Sequence, residues 1–477
     1  MNSRRAHHRP TCKRLHRSAL LWISLLCANP MAMAQGSVDR PALKSLRFDE
    51  DWSPLRDPAL RTDFLDPLKW IPLNDSGSWY ATLGGELRER YEYVRAPVFG
   101  LGSPPRNDYF LSRASLFADI HFGPGFRTFV EIAAAHAPGW SGSPPATQKD
   151  TLDVLQAFGE AKLSLGEGQL SVRAGRQQMS FGSSRLVGVR DSPNIRRSFD
   201  GVRVTWIESK DLRVDAFAVQ PVAPRTGRFD DGRDRAQDLW GVYATTNVPA
   251  VAGLKADLYY LGLNRRDARF AQGVETEHRH TVGARLFGSH ADFDWNIEGI
   301  FQFGNFGGSS IRAWALSSDT GYTFSDRTWT PRIGLKADAF SGDRNLRDGR
   351  LGTFNALFPR LPYFSEANLV APSNLLDLQP NLTLALTPTV ELNLAWNPLW
   401  KQTKADAFYA PPLSPVRGTA GTQSRHIGQQ VIATIEWSAT PRLTVAASYV
   451  HFEPGRATRQ AGGRSGEFLA TWLQYRF

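Results

Sequence analysis

Most of the chain consists of stretches of about 10 to 14 residues in which apolar and polar positions alternate. In the first of these stretches, Leu83, Leu87 and Tyr91 share one parity. Glu86 and Arg88 share the other parity. Because successive side chains of a strand point to opposite faces, this period of two predicts β-strands with one apolar face and one polar face.

Eighteen such stretches follow one another after residue 79. They lie near residues 80–93, 109–122, 126–136, 152–165, 169–181, 198–208, 211–220, 236–247, 253–264, 278–288, 291–303, 311–325, 328–341, 375–387, 389–400, 427–438, 442–453 and 466–477. No apolar run after residue 34 reaches the ~20 residues that a transmembrane helix needs. The pattern therefore predicts an all-β chain.

The connections between these strands alternate in length. Those that follow even-numbered strands are short, and they lie at 123–125, 166–168, 209–210, 248–252, 289–290, 326–327, 388 and 439–441. Those that follow odd-numbered strands are mostly longer, and the longest are 342–374 and 401–426. Short turns therefore lie at one end of the sheet and long loops at the other, which we call the elaborated end. A transmembrane β-barrel has this form, with short periplasmic turns and long extracellular loops.

We therefore predict an 18-stranded antiparallel transmembrane β-barrel over residues 80–477, with both of its ends on the short-turn side. A soluble β-sandwich is the alternative fold, but such a fold rarely needs so many strands with long loops on one side only. The last strand supports the barrel, because Tyr475 and the terminal Phe477 fall on its apolar parity. A final strand that ends in phenylalanine is typical of outer-membrane barrels.

Residues 1–34 have the organisation of a secretory signal peptide. They contain six basic residues and no acid, an apolar run at 19–28, and the ending Ala32-Met33-Ala34. We predict Sec-type export to the outer membrane of a Gram-negative cell, with cleavage near Ala34. Residues 35–79 are predicted to form a periplasmic lead segment before the barrel. Both cysteines lie in the signal peptide, so no disulfide is expected in the mature chain.

The predicted signal peptide also accounts for most of the excess positive charge of the chain. A formal net charge of +10 at first suggests a nucleic-acid partner. Once the six cations of the signal peptide are removed, only +4 remains on the mature chain, and we expect no nucleic-acid binding. The aromatic content of 11% excludes a generally disordered chain.

A barrel of this size encloses a lumen wide enough for an aqueous channel. Parity places charges of both signs in it, with arginine the commonest. The predicted pore-lining, substrate-binding residues are Arg88, Arg90, Arg113, Arg127, Arg173, Arg176, Arg203, Arg332, Lys336, Glu86, Glu131 and Asp338. Turning both Arg173 and Arg176 inward requires a bulge, which we place at Gly175. Inward arginines present bidentate donors to carboxylates, although ladders of arginines and acids can also simply stabilise a wet interior.

The mature chain offers little chemistry for catalysis. It has no P-loop, dinucleotide-binding glycine motif or nucleophile elbow. The alternation pattern does not exclude a hydrolase with a serine and a histidine at the membrane rim. His278 and His280 share a strand face, but two histidines without a third ligand are a weak metal site. Residues 343–349 lack the distal glutamate of a calcium loop and are interpreted as a polar outer loop. We predict no enzyme activity, no catalytic residues, no metal and no cofactor.

Several segments together resemble the alginate export family of outer-membrane porins. They are residues 48–58, 66–73, 84–90 (GGELRER), 173–177 (RAGRQ), 197–203 (RSFDGVR) and 353–360 (TFNALFPR), with Tyr363-Phe364 and Asn374-Leu375 beyond them. The resemblance implies an 18-stranded barrel that conducts an anionic polysaccharide through an arginine-lined constriction gated by long loops. A periplasmic loop helps to occlude the pore of the family's exporter. Because the periplasmic turns predicted here are short, we expect the outer loop 342–374 to fold inward instead.

The first functional hypothesis is passive export of an anionic, alginate-like exopolysaccharide. The alternatives are an uptake porin for small anionic solutes, and a structural or enzymatic barrel whose lumen is closed by paired charges. The expected partners are the transported polysaccharide or anion, outer-membrane lipid and lipopolysaccharide, and periplasmic export machinery.

Overall fold

The structure is a computed structural model that describes residues 41–209, 211–249, 251 and 253–477. The predicted signal peptide and the first residues of the predicted lead segment lie outside the described residues, as do parts of the short turns at 209–210 and 248–252. Residues 43–477 form one compact unit.

Eighteen long strands within the described residues build this unit. They are β1 (Trp79–Arg95), β2 (Arg106–Phe122), β3 (Phe126–His136), β4 (Asp150–Leu165), β5 (Gly168–Gln177), β6 (Phe199–Ser209), β7 (Leu212–Ala223), β8 (Gln237–Asn247), β9 (Leu254–Phe270), β10 (Gly273–His290), β11 (Phe293–Phe306), β12 (Ser309–Thr323), β13 (Arg332–Phe340), β14 (Leu375–Thr387), β15 (Val390–Trp400), β16 (His426–Thr440), β17 (Leu443–Pro454) and β18 (Gly466–Arg476).

The sheet closes on itself, because β1 pairs antiparallel with both β2 and β18. Glu86 of β1, for example, is opposite Ser115 on one side and Arg476 on the other. Every other long strand pairs with its sequence neighbours. Closure leaves no open edge, so each strand satisfies its backbone groups without water, as a membrane-spanning sheet must. The predicted 18-stranded antiparallel barrel is confirmed.

Alternation along the strands gives the barrel an apolar outer face. Large apolar side chains on outward positions are open to the surroundings, with Leu87 51%, Leu116 56% and Leu258 60% exposed. Their sequence neighbours on the inward parity, such as Arg88 and Ser115, are buried. An outward apolar face is what a bilayer would cover. Among the described residues, no helix is both long and apolar enough to cross a membrane.

The connections differ from the predicted pattern at two outer hairpins. The expected loops near 265–277 and 304–310 are two-residue turns, because β9 to β12 continue beyond their predicted ends. The short-turn side is longer than expected at one place, since residues 324–331 separate β12 from β13. Local alternation identifies a strand but does not mark the residue at which pairing stops.

Short elements occupy the segments between the long strands. Two-residue strands are Ile71–Pro72, Gly232–Arg233, Arg350–Leu351, Tyr409–Ala410 and Ser414–Pro415, and the α-helix of the described residues is α1 (Arg456–Gln460). The 3₁₀ turns are Arg47–Asp49, Ser53–Arg56, Pro58–Leu60, Asp66–Leu68 and Val98–Gly100.

Two long loops of the elaborated end fold into the lumen. We call residues 178–198, between β5 and β6, the first inner loop, and residues 341–374, between β13 and β14, the second inner loop. They join through parallel bridges between Val187 and Phe358 and between Arg190 and Leu361. Phe181 of the first inner loop stacks on Phe217 and Tyr243 of the wall, at centroid distances of 5.1 and 5.2 Å. The second inner loop thus folds inward, as expected.

The predicted lead segment reaches the inner wall toward the short-turn end through Arg47 and Phe48, and we use its name below for residues 43–72. The guanidinium of Arg47 donates to the carbonyl of Gly85 at 2.9 Å and to that of Phe477 at 2.8 Å. The ring of Phe48 packs edge-on against Phe129 and Phe158. The sequence did not predict that this segment enters the barrel.

Candidate functional site

The lumen carries the predicted charged residues on its inward parity, with one exception. The residues on inward positions are Arg88, Arg90, Arg113, Arg127, Arg173, Arg203, Arg332, Lys336, Glu86, Glu131 and Asp338. Strand alternation fixes their direction, because every second side chain of a strand points away from lipid and into the lumen. Placement alone gives no function to a charge, so the partner of each decides what it can do.

Arg176 is the exception. Pairing of β5 with β4 and with β6 is continuous through Gly175, so the predicted bulge at Gly175 is wrong. Unbroken alternation puts Arg176 on the face opposite Arg173. Its guanidinium instead contacts the carboxylate of Asp200, at 2.9 and 3.2 Å, on the outer face of the wall. The bulge of this region is in the neighbouring strand, where the register shifts beside Glu131.

One wall holds a ladder of buried ion pairs. Arg127 lies 2.9 Å from Glu160 and 3.2 Å from Asp119. Arg173 lies 2.5 Å from the other oxygen of Glu160, and Arg203 pairs with Asp215 at 2.9 Å. Each of these cations is therefore neutralised by a carboxylate of the wall. Such pairing offsets the free-energy cost of removing the charges from water. The paired arginines then have little electrostatic attraction for an anion in the lumen.

The same pairing recurs for the other predicted cations. The pairs are Arg90 with Glu92 and Glu366, Arg113 with Glu86 and Asp191, Arg88 with Asp191, Arg332 with Asp294 and Asp319, and Lys336 with Asp338. Two of the acids, Asp191 and Glu366, belong to the inner loops. These pairs therefore tie the inner loops to the wall as well as neutralising the arginines.

A cavity of about 430 Å³ opens toward the short-turn end, and we call it the inner vestibule. Asp294, Arg332 and Asn381 line its wall, and Arg360 and Tyr363 of the second inner loop lie over it. A second cavity of about 340 Å³, the outer vestibule, lies near the elaborated end. It is lined in part by Tyr109, Trp140, Arg190, Arg197 and Leu361.

One short segment borders both vestibules. Arg360 and Tyr363 line the inner vestibule, whereas Leu361 and Glu366 line the outer one. Residues 360–366 of the second inner loop therefore lie between the two cavities. A solute that crosses the barrel along these cavities must pass this segment.

Three inner-loop arginines that line the vestibules lack an acidic partner among the described residues. No carboxylate oxygen of the described residues lies within 4.0 Å of the side chains of Arg190, Arg197 or Arg360, unlike those of the wall arginines. Arg197 donates to the carbonyls of Pro359 at 3.0 Å and Gly188 at 3.4 Å. Burial lowers the pKa of Arg190 to about 10, and burial together with Arg190 lowers that of Arg197.

These loop arginines were not among the predicted site residues. The sequence shows a high density of arginine at 185–203, and Arg360 ends one of the family-like segments. Parity cannot assign a direction to a loop residue, because the period of two applies only within a strand. The arrangement offers three uncompensated guanidiniums beside two connected cavities, which suits a carboxylate or another oxyanion.

Sequence and structure comparisons agree with this architecture. The sequence model of the family described as alginate export matches residues 79–471. None of the curated proteins matches the chain. Among solved structures, OccD3 (OpdP) of Pseudomonas aeruginosa aligns with 83% of this chain and 91% of its own, at 15% identity and a TM-score of 0.55.

Two further porins show the same fold. A BenF-like porin from Pseudomonas fluorescens Pf-5 aligns over 83% of this chain and 98% of its own, with 10% identity and a TM-score of 0.56. OpdK of Pseudomonas aeruginosa, solved with vanillate, aligns over the same shares at 10% identity and a TM-score of 0.53. At these identities the likeness concerns the fold, which is that of outer-membrane channels. With a family match over most of its length and a closed porin-like barrel, the chain belongs to the alginate export family and is an outer-membrane channel.

Proposed function

We propose that this channel exports an anionic, alginate-like exopolysaccharide by passive movement, and that Arg190, Arg197 and Arg360 select for its carboxylates. The observation that carries the proposal is the absence of an acidic partner for these three side chains beside the vestibules, within the described residues. The family match supports the polymer as cargo.

The division between paired and unpaired arginines gives the proposal its physical basis. A guanidinium already bound to a carboxylate has little attraction left for a second anion, whereas an uncompensated one in a confined space attracts it strongly. Three such groups let a polymer exchange one carboxylate for the next. Selective conduction needs binding that is favourable enough for entry and weak enough for release.

Passage of a polymer requires the inner loops to move. Residues 360–366 lie between the vestibules, and Glu366 of this segment holds Arg90 of the wall at 2.8 Å. On this proposal the loops close the barrel at rest and swing aside when a chain enters from the periplasm. The paired wall arginines then serve to hold the closed state.

Uptake of small anionic solutes is the second candidate function, and the packing of the lumen favours it. Aromatic side chains fix both inner loops to the wall, as in the tilted contact of Phe340 with Phe354 at a centroid distance of 5.4 Å. Vestibules of about 340 and 430 Å³ accommodate a monosaccharide acid without any movement of the loops. The two candidates share the loop arginines and differ in the size of the cargo.

Ion selectivity in planar bilayers tests the shared part of both candidates. We expect the reversal potential of the full-length channel in a salt gradient to show anion preference. The triple variant Arg190→Gln, Arg197→Gln, Arg360→Gln is expected to lose this preference. Arg327→Gln, in the exposed connection 324–331, is the matched control and should behave as wild type. A cation-selective wild type, or a triple variant with unchanged selectivity, contradicts the role of these arginines.

The size of the cargo is tested separately. Uronic-acid oligomers of increasing length are added to one side, and current block is recorded. Longer block with each added residue, together with loss of secreted uronic-acid polymer in a deletion strain, supports export. Block by the monomer alone and an unchanged polymer yield favour uptake.

A further inference from the structure

Three aspartates that line neither vestibule converge at the elaborated end of the barrel. Asp150 and Asp153 belong to β4, and Asp231 belongs to the loop between β7 and β8. One carboxylate oxygen from each lies within 4.8 Å of those of the other two. Asp150 and Asp153 are each only 4% exposed. Buried carboxylates rarely gather in this way without a positive partner.

Backbone donors orient two of these carboxylates. Asp153 accepts from the N–H of Val154 at 2.7 Å and from that of Asp231 at 2.9 Å. Asp231 accepts from the N–H of Arg225 at 2.5 Å. Asp150 is different, because its Oδ1 is fully buried and has no hydrogen-bond partner among the described residues. A buried, unpartnered carboxylate oxygen beside two other carboxylates indicates a missing cationic ligand.

Among the described residues, one arginine forms an ion pair with these aspartates, although Arg113, Arg190 and Arg196 also line the cavity beside them. The guanidinium of Arg176 comes within 3.6 Å of Asp153, but it is already shared with Asp200. Asp230 adds a further carboxylate, and its Oδ1 also lacks a partner. Burial, together with the charge of Asp153, raises the pKa of Asp231 to about 6.

We propose that Asp150, Asp153 and Asp231 bind a calcium ion that fastens the loop 224–236 to the barrel wall. The donors are all carboxylate oxygens, the ligands that a hard cation prefers. Calcium takes such oxygens at about 2.3–2.6 Å in irregular geometry, so two of its ligands can lie up to about 5 Å apart. The separations within the cluster fit that limit.

Room for water completes the coordination. A cavity of about 30 Å³, large enough for a single water molecule, is lined by the three aspartates. The first inner loop also lines it, through Asn194 and Arg196. The loop 224–236 already meets β4 through backbone bonds, from Thr151 N–H to Gly227 at 3.1 Å and from Phe229 N–H to Leu152 at 2.9 Å. A bound ion would therefore lock an outer loop that is already in place.

Equilibrium dialysis with radioactive calcium tests the site. The full-length protein is refolded in micelles free of lipopolysaccharide, treated with a chelator, and titrated with calcium over about 0.01–10 mM, a range around extracellular calcium sites. We expect one ion per chain. No saturable binding in this range overturns the proposal, and binding of magnesium at least as tight as that of calcium overturns the choice of ion.

Matched variants locate the ion. Asp231→Asn and Asp150→Asn each preserve the shape of the side chain and should weaken binding at least tenfold. Asp234→Asn lies in the same loop outside the cluster and should bind as wild type. Calcium should raise the thermal midpoint of wild type and of Asp234→Asn, but not that of Asp231→Asn. Equal binding by all variants overturns the assignment, and if a variant fails to fold, the titration of wild type still decides whether an ion binds.

Discussion

Nη2 of Arg113 lies 2.9 Å from Oδ1 of Asp191. Arg113 belongs to β2 of the wall and Asp191 to the first inner loop, so this ion pair joins the loop to the barrel across the lumen. Arg113 also lies 2.6 Å from Glu86, which keeps the arginine paired when the loop moves away. Arg113 therefore has a wall carboxylate beside it even without the loop, whereas Asp191 is the acidic partner of Arg88 among the described residues.

Neutralising this loop carboxylate should loosen the closed state. In Asp191→Asn, Arg113 and Arg88 lose an anionic partner and face a neutral amide instead, at a cost of about 1.5–3 kcal/mol to the closed loop. We expect higher or more frequent openings in single-channel recordings. The control is Glu467→Gln, which removes an exposed pair with Arg95 that contributes little. Openings of Asp191→Asn equal to those of wild type would show that the ion pair does not hold the loop.

Releasing the lead segment from the inner wall should open the lumen further. Arg47→Ala removes the donors to the carbonyls of Gly85 and Phe477, and it also removes the pair with Glu50 at 2.6 Å. We expect the segment to become accessible to limited proteolysis and the conductance to rise. Arg56→Ala, in the exposed part of the same segment, is the control. Full protection of residues 43–72 from protease in Arg47→Ala would contradict this view of how the segment is held.

Calcium binding should weaken in acid. Calcium binds ionised carboxylates, so protons compete with the ion for the three aspartates. Burial, together with the charge of Asp153, raises the pKa of Asp231 to about 6, which brings this competition into mildly acidic solution. The charged groups around it are Asp150, Asp153, Asp230 and Arg176. We expect the apparent affinity to fall steadily as the pH is lowered from about 7 to about 5. Affinity in equilibrium dialysis that does not change between about pH 5 and pH 7 would exclude Asp231 as a ligand.

Much of the barrel could be predicted from local pattern. Alternation placed Arg113, Glu86 and Asp338 on the inward parity, because a strand permits only two directions for a side chain. The prediction went wrong where it needed a local irregularity. Gly175 looked like the site of a bulge, yet its strand pairs without interruption and Arg176 faces outward. Whether a strand contains a bulge depends on its pairing with the adjacent strands, and the sequence of one segment does not show that pairing.

The candidate site was predictable only in part. The wall arginines were found, but their partners were not, so the sequence could not separate Arg113, which is paired with two acids, from Arg197, which has none among the described residues. Pairing depends on contacts between residues far apart in the chain, such as Arg90 and Glu366. The three aspartates of the proposed calcium site are likewise separated, since Asp231 is some 80 residues from Asp150 and Asp153.

By itself the sequence determined the closed barrel, the lipid-facing and lumen-facing sides of its strands, and the family. These depend on a period of two and on turn lengths, both of which are local properties imposed by hydrocarbon outside and water inside. Only the tertiary structure decided that two outer loops and the lead segment fill the lumen, and which arginines stay uncompensated there. Loop residues do not alternate between two faces, so their direction cannot be predicted from the sequence pattern. How strongly an arginine attracts a substrate anion depends on which carboxylates the fold places beside it.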